Sequence, residues 1–268
     1  MPEDVYKRMT ALIDEAAHDG KTRWQVFSDF LTTNAISYAN SSSPTKDDTW
    51  QARENEFHKI WRSYQQPVIL AELAGGLIEA FQRDYPNCTD VLGTLFESLN
   101  IQDKWYGQFF TPQPLCEVTA MTFNVKAAKE AIMKRGYMKI HEPASGGGAM
   151  LLAIINRLIS AGINPSTQTL FVANDLDIRS VYMSYIQLSL AGVPAIVNHM
   201  DTLTLREISP PWYTPVFHLD GWAQRLDLER RVDAMRAILS NNPKLRSHFT
   251  KPKPARPTEP KYEQLTLF

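Results

Sequence analysis

The stretch YMKIHEPASGGGAMLLAIINRLIS, residues 137–160, decides the fold class of this chain. A β-like run, Tyr137–Glu142, leads into the three glycines Gly146–Gly148, and apolar periodicity predicts a helix over Ala149–Ser160. Consecutive glycines permit positive φ angles and let a ligand approach the backbone without meeting a Cβ atom. A strand, a glycine turn and a helix in this order are typical of the ligand-binding edge of a parallel α/β sheet.

The same alternation continues toward the carboxyl end of the chain. Thr169–Ala173 is predicted to be a second buried strand, Ile178–Leu190 a second helix and Ala195–His199 a third strand. The order β-α-β-α-β predicts an α/β fold with a parallel sheet and right-handed crossovers. After residue 215 little β-like sequence remains, so we expect a truncated sheet, followed by a charged helix over Ala223–Leu239.

The first hundred residues are predicted to be mainly helical, because apolar residues recur three and four positions apart. The predicted helices are Val5–Ala17, Trp24–Tyr38, Trp50–Tyr64, Val68–Arg83 and Val91–Leu99, with one further amphipathic helix from about Pro114 to Arg135. Aromatic side chains on these helices, such as Phe27 and Phe30, could stack on bases, but we favour a core role. The predicted organisation is a helical region over residues 1–104, an α/β domain over 105–240 and a Pro- and Lys-rich tail over 241–268.

The composition limits the classes of function. The 268 residues carry 28 Lys and Arg against 29 Asp and Glu, a net charge of −1, which does not exclude nucleic acid because phosphate affinity depends on local clusters of charge. No apolar run approaches the roughly 20 residues of a membrane span, and residues 1–10 lack a signal-peptide core, so we expect a cytoplasmic protein without a membrane partner. The two cysteines, Cys88 and Cys116, lack metal-ligand spacing, which predicts no metal site.

An acidic residue stands at or just after the end of each predicted strand. Glu142 can pair with a cationic ligand group, Asp175 can accept from ribose hydroxyls and Asp201 can bind a purine edge. The glycines are not followed by Lys-Ser/Thr and lack Gly-x-Gly-x-x-Gly spacing, which excludes a P-loop and counts against a dinucleotide site. These residues together suggest S-adenosylmethionine as the ligand. A glycine-rich turn without a ligand, in which the acids cap helices or turns, stays open.

Two motifs in the correct order resemble the amino-type DNA adenine-N6 methyltransferases, especially the modification subunits of type I restriction systems and their phage and plasmid relatives. GQFFTP, residues 107–112, is similar to the family's Gly-x-Phe/Tyr-Phe/Tyr-Thr-Pro loop, and Glu142–Gly148 is similar to its glycine loop, with Glu for Asp, Ser for Cys and Gly for Ser. The resemblance covers about residues 100–205 and implies a Rossmann-like S-adenosylmethionine-dependent methyltransferase fold. The cofactor-binding residues that it implies are Phe110, Thr111, Pro112, Glu142, Pro143, Ala144, Gly146, Gly148, Asp175 and Asp201.

A third stretch, Ser209-Pro210-Pro211-Trp212, matches the letters of the family's catalytic motif, Asn/Asp/Ser-Pro-Pro-aromatic. In that motif a polar side chain and a backbone carbonyl accept from the amino group of a flipped adenine, and the ring stacks on the base. Only eight positions separate Asp201 from Ser209, too few for the usual helix and fourth strand. A structural interpretation, in which the prolines stiffen a turn, therefore stays open beside the catalytic one.

The last five residues, QLTLF, resemble the peptide with which bacterial replication and repair proteins dock on the DNA sliding clamp. After a Pro-rich tether, Gln264 would supply hydrogen bonds, and Leu265, Leu267 and Phe268 would be apolar anchors for a groove. The alternative is a tail that packs on its own domain as an edge strand.

The leading prediction is an S-adenosylmethionine-dependent DNA methyltransferase of the adenine-N6 type, as in restriction-modification systems. It would act on double-stranded DNA by direct methyl transfer to a flipped adenine. The rival is a catalytically inactive methyltransferase-like protein that binds DNA, the sliding clamp or a partner subunit, and the short spacing before Ser209 favours it. A methyltransferase that acts on protein or RNA is a third interpretation.

Overall fold

The computed structural model describes residues 4–18, 20–101 and 111–241. Phe110 and the tail residues Gln264, Leu265, Leu267 and Phe268 lie outside the described residues, so the functions expected of them stay predictions. The described residues fall into two units, of which the first ends at Trp222 and the second begins at Ala223. In the described ranges, no helix combines the length and the apolar character that crossing a membrane requires.

Helices fill the described chain before the first strand, and their starts have local causes. They are α1 (Val5–Ala17), α2 (Arg23–Ser42), α3 (Asp48–Arg62), α4 (Val68–Arg83), α5 (Val91–Ser98), α6 (Gln113–Met121) and α7 (Val125–Arg135). Thr22 and Gln25 form a capping box at the start of α2, and the Asp47 side chain accepts from the Trp50 backbone N–H at the start of α3. The predicted bounds of α1 and α4 are confirmed residue for residue.

The prediction of one helix from Pro114 to Arg135 is wrong, because the chain breaks between α6 and α7. The side chain of Asn124 accepts from the backbone N–H of Ala127 at 3.0 Å and so caps a new helix. Gly136, at φ 80°, ends α7 in the left-handed conformation that glycine adopts without strain. Asn124 is the turn-favouring residue that the apolar periodicity concealed.

The α/β part follows as β1 (Met138–Glu142), α8 (Ala149–Ser160), α9 (Pro165–Gln168), β2 (Thr169–Asp175), α10 (Ile178–Leu190), β3 (Ala195–Asp201), β4 (Arg206–Glu207), β5 (Trp212–Tyr213), α11 (Pro215–Leu219) and α12 (Trp222–Asn241). Strands β1, β2 and β3 are parallel neighbours in that order, and the short strands β4 and β5 both pair antiparallel with β3. The α/β class with a parallel sheet is therefore confirmed. Sequence analysis did not predict α9, β4, β5 or α11, which are all five residues or shorter.

One continuous core joins the helical region to the sheet. Ile140, Phe171, Ala173, Ala195 and Val197 of the three parallel strands belong to the same buried cluster as the apolar residues of α8 and α10 and of α1, α2, α4 and α5. Helix α2 packs against both α3 and α10. The core role favoured for the helical aromatics is confirmed for Phe27 and Phe30, which are fully buried. The helical region thus holds α10, and with it the strand ends that α10 connects.

Helix α12 accounts for the described residues of the second unit. The predicted charged helix over Ala223–Leu239 is confirmed, with its observed ends one and two residues further out. Its charges pair along the helix, Arg231 with Asp227 at 2.8 Å and Arg236 with Asp233 at 3.3 Å. Such exposed pairs contribute only a few tenths of a kcal/mol, roughly 0.3 to 0.5, to the stability of a helix.

Candidate functional site

The glycine loop between β1 and α8 has a backbone that depends on glycine. Gly146 and Gly148 have φ angles of 52° and 95°. A Cβ atom built on Gly148 would lie 3.2 Å from the Ser184 hydroxyl oxygen and 3.3 Å from the Ser184 Cα atom. The strained φ angle and the close approach of α10 therefore both require glycine at position 148.

Asp175, the last residue of β2, holds this loop in place. Its Oδ2 atom accepts from the Gly146 backbone N–H at 2.8 Å and its Oδ1 atom accepts from the Asp177 backbone N–H at 2.9 Å. Burial raises the pKa of Asp175, and the hydrogen bonds from the Asp177 and Gly146 backbones oppose that rise. Each carboxylate oxygen keeps a second lone pair, so Asp175 can still accept from a ligand hydroxyl.

The end of β3 closes the other side of the loop. The Thr202 hydroxyl donates to the Pro143 carbonyl oxygen at 2.7 Å. The Oδ1 atom of Asp201 accepts from the backbone N–H groups of Leu203 and Thr204 at 3.0 and 3.3 Å. Hydrogen bonds from Thr204 hold the pKa of Asp201 below its usual range, so this carboxylate is an anion at neutral pH.

These elements surround a cavity of about 550 Å³, which we call the glycine-loop cavity. Its lining residues are Pro143, Ala144, Gly146, Asp175, Leu176, Ser180, Met200, Asp201, Thr202 and Leu203. Five of the residues expected to bind the cofactor, Pro143, Ala144, Gly146, Asp175 and Asp201, are therefore brought together in one cavity. Glu142 and Gly148 flank the loop in sequence and are not among the lining residues, and neither are Thr111 and Pro112, which are exposed just before α6.

A buried polar network behind the loop was not predicted from the sequence. The Gln187 side-chain amide donates to the Gly147 carbonyl oxygen at 2.7 Å and to Oδ1 of Asp90 at 2.8 Å. Asp90 also caps α5 by accepting from the Gly93 backbone N–H at 2.9 Å. The Ser184 hydroxyl donates to the Gly146 carbonyl oxygen at 2.7 Å. The polar residues within the otherwise apolar pattern of α10 could have indicated this network. Their partners could not be identified from the sequence, because they lie 38 to 97 positions away.

Ser209-Pro210-Pro211-Trp212 lies beside β3, so two strands separate it from β1. Trp212 is only 6% exposed, and its ring contacts Tyr182 and Tyr185 with centroid separations of 5.1 and 5.4 Å. The guanidinium carbon of Arg53 lies over the same ring, 3.9 Å from its centroid. The ring is therefore a packing element of the molecule.

A second cavity, of about 570 Å³, opens at this tetrapeptide, and we call it the tryptophan cavity. Its lining residues are Asp48, Thr49, Ala52, Arg53, Ile178, Tyr182, His199, Ser209, Pro210 and Trp212. His199 connects it to the glycine-loop cavity, because its Nδ1 atom lies 3.0 Å from the Ser209 hydroxyl and its Nε2 atom 3.1 Å from the carbonyl oxygen of Leu176, which lines the first cavity. The two cavities are therefore neighbours at the carboxyl end of β3.

In the residues that the structure describes, no group of three or more His, Cys, Asp and Glu side chains is placed to hold a metal ion. Both cysteines are buried, and burial is the largest cause that raises the pKa of each thiol.

Comparison with known proteins gives a likeness at the level of solved structures alone. No protein-family model matches the sequence, and no curated protein matches it. A Listeria monocytogenes protein assigned to the class I S-adenosylmethionine-dependent methyltransferases is 12% identical with a TM-score of 0.41, covering 77% of this chain and 56% of that one. The methyltransferase subunit of a type I restriction-modification system from Streptococcus thermophilus is 12% identical with a TM-score of 0.35, covering 74% and 58%. This chain thus spans a little more than half the length of these structures.

Proposed function

We propose that this chain is an S-adenosylmethionine-dependent methyltransferase that binds its cofactor in the glycine-loop cavity. The observation that carries the proposal is the convergence of Gly146, Asp175 and Asp201 on one cavity at the carboxyl ends of parallel strands. The residues fit such a ligand. The backbone at Gly146 can be approached without a Cβ atom, and two carboxylates are available to hydroxyl and amine donors.

Each group then has a role that its chemistry allows. Asp175 accepts from the ribose hydroxyls while it fixes the loop through Gly146, and Asp201 accepts from the amine edge of the purine. Glu142 does not line the cavity but directly precedes the lining residue Pro143, and it is the carboxylate proposed to pair with the ammonium of the methionine part. When bound, S-adenosylmethionine supplies an electrophilic methyl group. The chain's own contribution is to orient the cofactor and to exclude water around the acceptor.

The finer proposal is that the methyl acceptor is the N6 amine of adenine in double-stranded DNA. Supporting it are the Ser209–Trp212 tetrapeptide and the tryptophan cavity, which adjoins the cofactor cavity at His199. In this reading Ser209 and the backbone carbonyls of Pro210 and Pro211 accept from the N6 amine, and the rim of the cavity at Trp212 receives the base.

The experiment that tests both levels combines calorimetry with a transfer assay. S-adenosylmethionine is titrated into the purified chain, and labelled methyl transfer to mixed-sequence DNA is measured with the same preparation. We expect a measurable heat of binding for the wild type. In Asp175→Ala the binding free energy should be weaker by roughly 1 to 3 kcal/mol, because the ribose hydroxyls of the cofactor lose their acceptor. If the wild-type chain gives neither a heat of binding nor a thermal shift with millimolar cofactor, the proposed function fails.

A second candidate is a non-catalytic protein that retains cofactor binding and acts through DNA, the sliding clamp or a partner subunit. The packing of Trp212 favours it, because Arg53, Tyr182 and Tyr185 already contact the ring that should stack on a base. In the family a helix and a fourth strand precede the motif, whereas here the described residues 202–208 between β3 and the tetrapeptide contain no helix, and this favours the second candidate too. Cofactor binding without transfer to DNA would select this candidate.

Docking on the sliding clamp through Gln264, Leu265, Leu267 and Phe268 is proposed from the sequence alone, since these residues lie outside those that the structure describes. Deletion of residues 264–268 should abolish capture of the chain by immobilised clamp and leave cofactor binding unchanged. The double variant Leu267→Ala, Phe268→Ala should behave in the same way, because it removes two of the three apolar anchors. Equal retention of the deleted chain would contradict the docking proposal.

A further inference from the structure

Arg53 is the half-buried cation of the tryptophan cavity, and it has no anionic partner there. Within residues 4–18, 20–101 and 111–241, its guanidinium makes no hydrogen bond and no salt bridge. Its position is fixed instead by stacking, with the guanidinium carbon 3.9 Å from the centroid of the Trp212 ring. A guanidinium whose carbon lies over an aromatic ring can keep N–H groups available to another partner.

The surroundings of Arg53 are unfavourable for a charge that stays unpaired. Loss of solvent is the largest influence on this group, and it lowers the pKa of Arg53, while Tyr185, Tyr182 and the nearby Asp47 carboxylate oppose that shift without forming an ion pair. A cation removed from water costs free energy unless an anion compensates it. The planar fork of arginine matches the oxygen atoms of a phosphate, to which it donates two parallel hydrogen bonds.

The charged and hydrogen-bonding neighbours of Arg53 do not compensate its charge. Asp48, the acidic lining residue, is exposed, so solvent and salt screen its charge more than that of the half-buried Arg53. Asp47, the neighbouring acid, is exposed as well and accepts from the Trp50 backbone N–H at the start of α3. His199 and Ser209 are engaged with each other at 3.0 Å. Arg53 is therefore the group that an entering anion would meet.

We propose that the tryptophan cavity is a phosphate-binding site anchored by Arg53, and that a backbone phosphate of DNA is the group it binds. The inference rests on the proposed DNA substrate. A phosphate held at Arg53 would fix the strand beside the rim of the same cavity at Ser209–Trp212, where the base is proposed to enter, and His199 connects that rim to the glycine-loop cavity. A free phosphate-bearing small molecule offers the same chemistry, and titrations with a DNA duplex and with pyrophosphate distinguish the two sources.

The test compares three variants in the full chain. Arg53→Gln removes the charge, Arg53→Lys keeps the charge without the planar fork, and Arg62→Gln makes the same charge change on the exposed part of the same helix. The affinity for a mixed-sequence DNA duplex is measured across salt concentrations, and inorganic pyrophosphate is titrated into each protein by calorimetry. Thermal unfolding and S-adenosylmethionine titration of each variant check that the fold and the cofactor cavity are intact.

For Arg53→Gln we expect a roughly tenfold loss of duplex affinity and a salt slope reduced by about one, as for the loss of one phosphate contact. Arg53→Lys should lie between Arg53→Gln and the wild type, and Arg62→Gln should match the wild type. Pyrophosphate binding that depends on Arg53, without duplex binding, would support the phosphate site and contradict DNA as its source. Equal behaviour of Arg53→Gln and Arg62→Gln with both probes would overturn the site. Cofactor titration reports separately on the proposed function, since failure there does not depend on Arg53.

Discussion

The two cavities at the carboxyl end of β3 are built in different ways. The glycine-loop cavity is formed by a backbone turn and by strand ends that are consecutive in the α/β layer, so its parts are readable as a local motif. The tryptophan cavity is formed where α3 of the helical region meets α10, β3 and the segment before β5. Its principal contact, Arg53 on Trp212, joins residues 159 positions apart, and no local sequence pattern predicts this contact.

This difference separates two meanings of a sequence motif. Gly146 and Asp175 match a motif and also contact each other, since the Asp175 carboxylate accepts from the Gly146 backbone and so fixes the glycine loop to the end of β2. Trp212 matches the letters of a motif, but its ring is occupied by packing contacts. Truncation of the two motif residues should therefore have different effects: Asp175→Ala should weaken ligand binding, whereas Trp212→Ala should lower the stability of the fold.

The largest effect is expected for Trp212→Ala. Removal of a buried ring that contacts Tyr182, Tyr185 and Arg53 should lower the free energy of unfolding by about 3 to 5 kcal/mol. Denaturant titration measures this loss. Trp212→Phe, which keeps an apolar ring, is the matched control and should retain most of the stability. A Trp212→Ala protein as stable as the wild type would show that the ring is available to a ligand after all.

An intermediate effect is expected for Gly148→Ala. The left-handed backbone and the 3.2 Å approach of the Ser184 hydroxyl should together cost about 2 kcal/mol of stability. Because the strain falls on the glycine loop, cofactor affinity should fall as well, which calorimetry would detect. Gly75→Ala, at an α4 glycine whose added Cβ meets nothing within 4 Å, is the control and should not destabilise the protein. Unchanged cofactor affinity in Gly148→Ala would argue against the loop as a binding element.

The smallest effect is expected for Asp90→Asn, on the order of 1 kcal/mol, because asparagine keeps an acceptor for the Gly93 backbone and Gln187. Burial raises the pKa of Asp90 above its unfolded value, so the stability from this group is complete below the ordinary carboxyl range and is lost as the pH rises through the folded pKa. The unfolding free energy of the wild type should therefore fall relative to that of Asp90→Asn as the pH rises from about 4. A wild-type advantage that grows with pH would contradict this account of the network behind the glycine loop.

The sequence predicted regular elements well because their causes are local. The bounds of α1, α4, α8 and α10 follow from apolar periodicity, and Asp4 and Asp177 also cap α1 and α10. The three parallel strands follow from short apolar runs between helices. The break at Asn124 was missed because a continuous apolar pattern masked a capping residue. The two-residue strands β4 and β5 depend on pairing with β3 and carry too little sequence for prediction.

The residues of the candidate site also fall into two groups, those that a local sequence pattern predicts and those that depend on a partner distant in sequence. Pro143, Ala144, Gly146, Asp175 and Asp201 could be identified because each stands in or beside a glycine loop or strand end that the sequence reveals. Asp90, Gln187 and Arg53 could not, because each acts through a partner distant in sequence. Asp90 and Gln187 meet across 97 positions, and Arg53 becomes a candidate binding residue only when α3 lies against Trp212.

The most direct test of the account is calorimetric titration of S-adenosylmethionine into the wild type, Asp175→Ala and Trp212→Phe under one set of conditions. We expect saturable binding by the wild type, binding weakened by roughly 1 to 3 kcal/mol in Asp175→Ala, and affinity in Trp212→Phe equal to that of the wild type. That pattern would indicate that the cofactor binds at the glycine loop and that the tryptophan cavity is not part of the cofactor site. Absence of binding in the wild type, or equal affinities in the wild type and Asp175→Ala, would contradict the central claim.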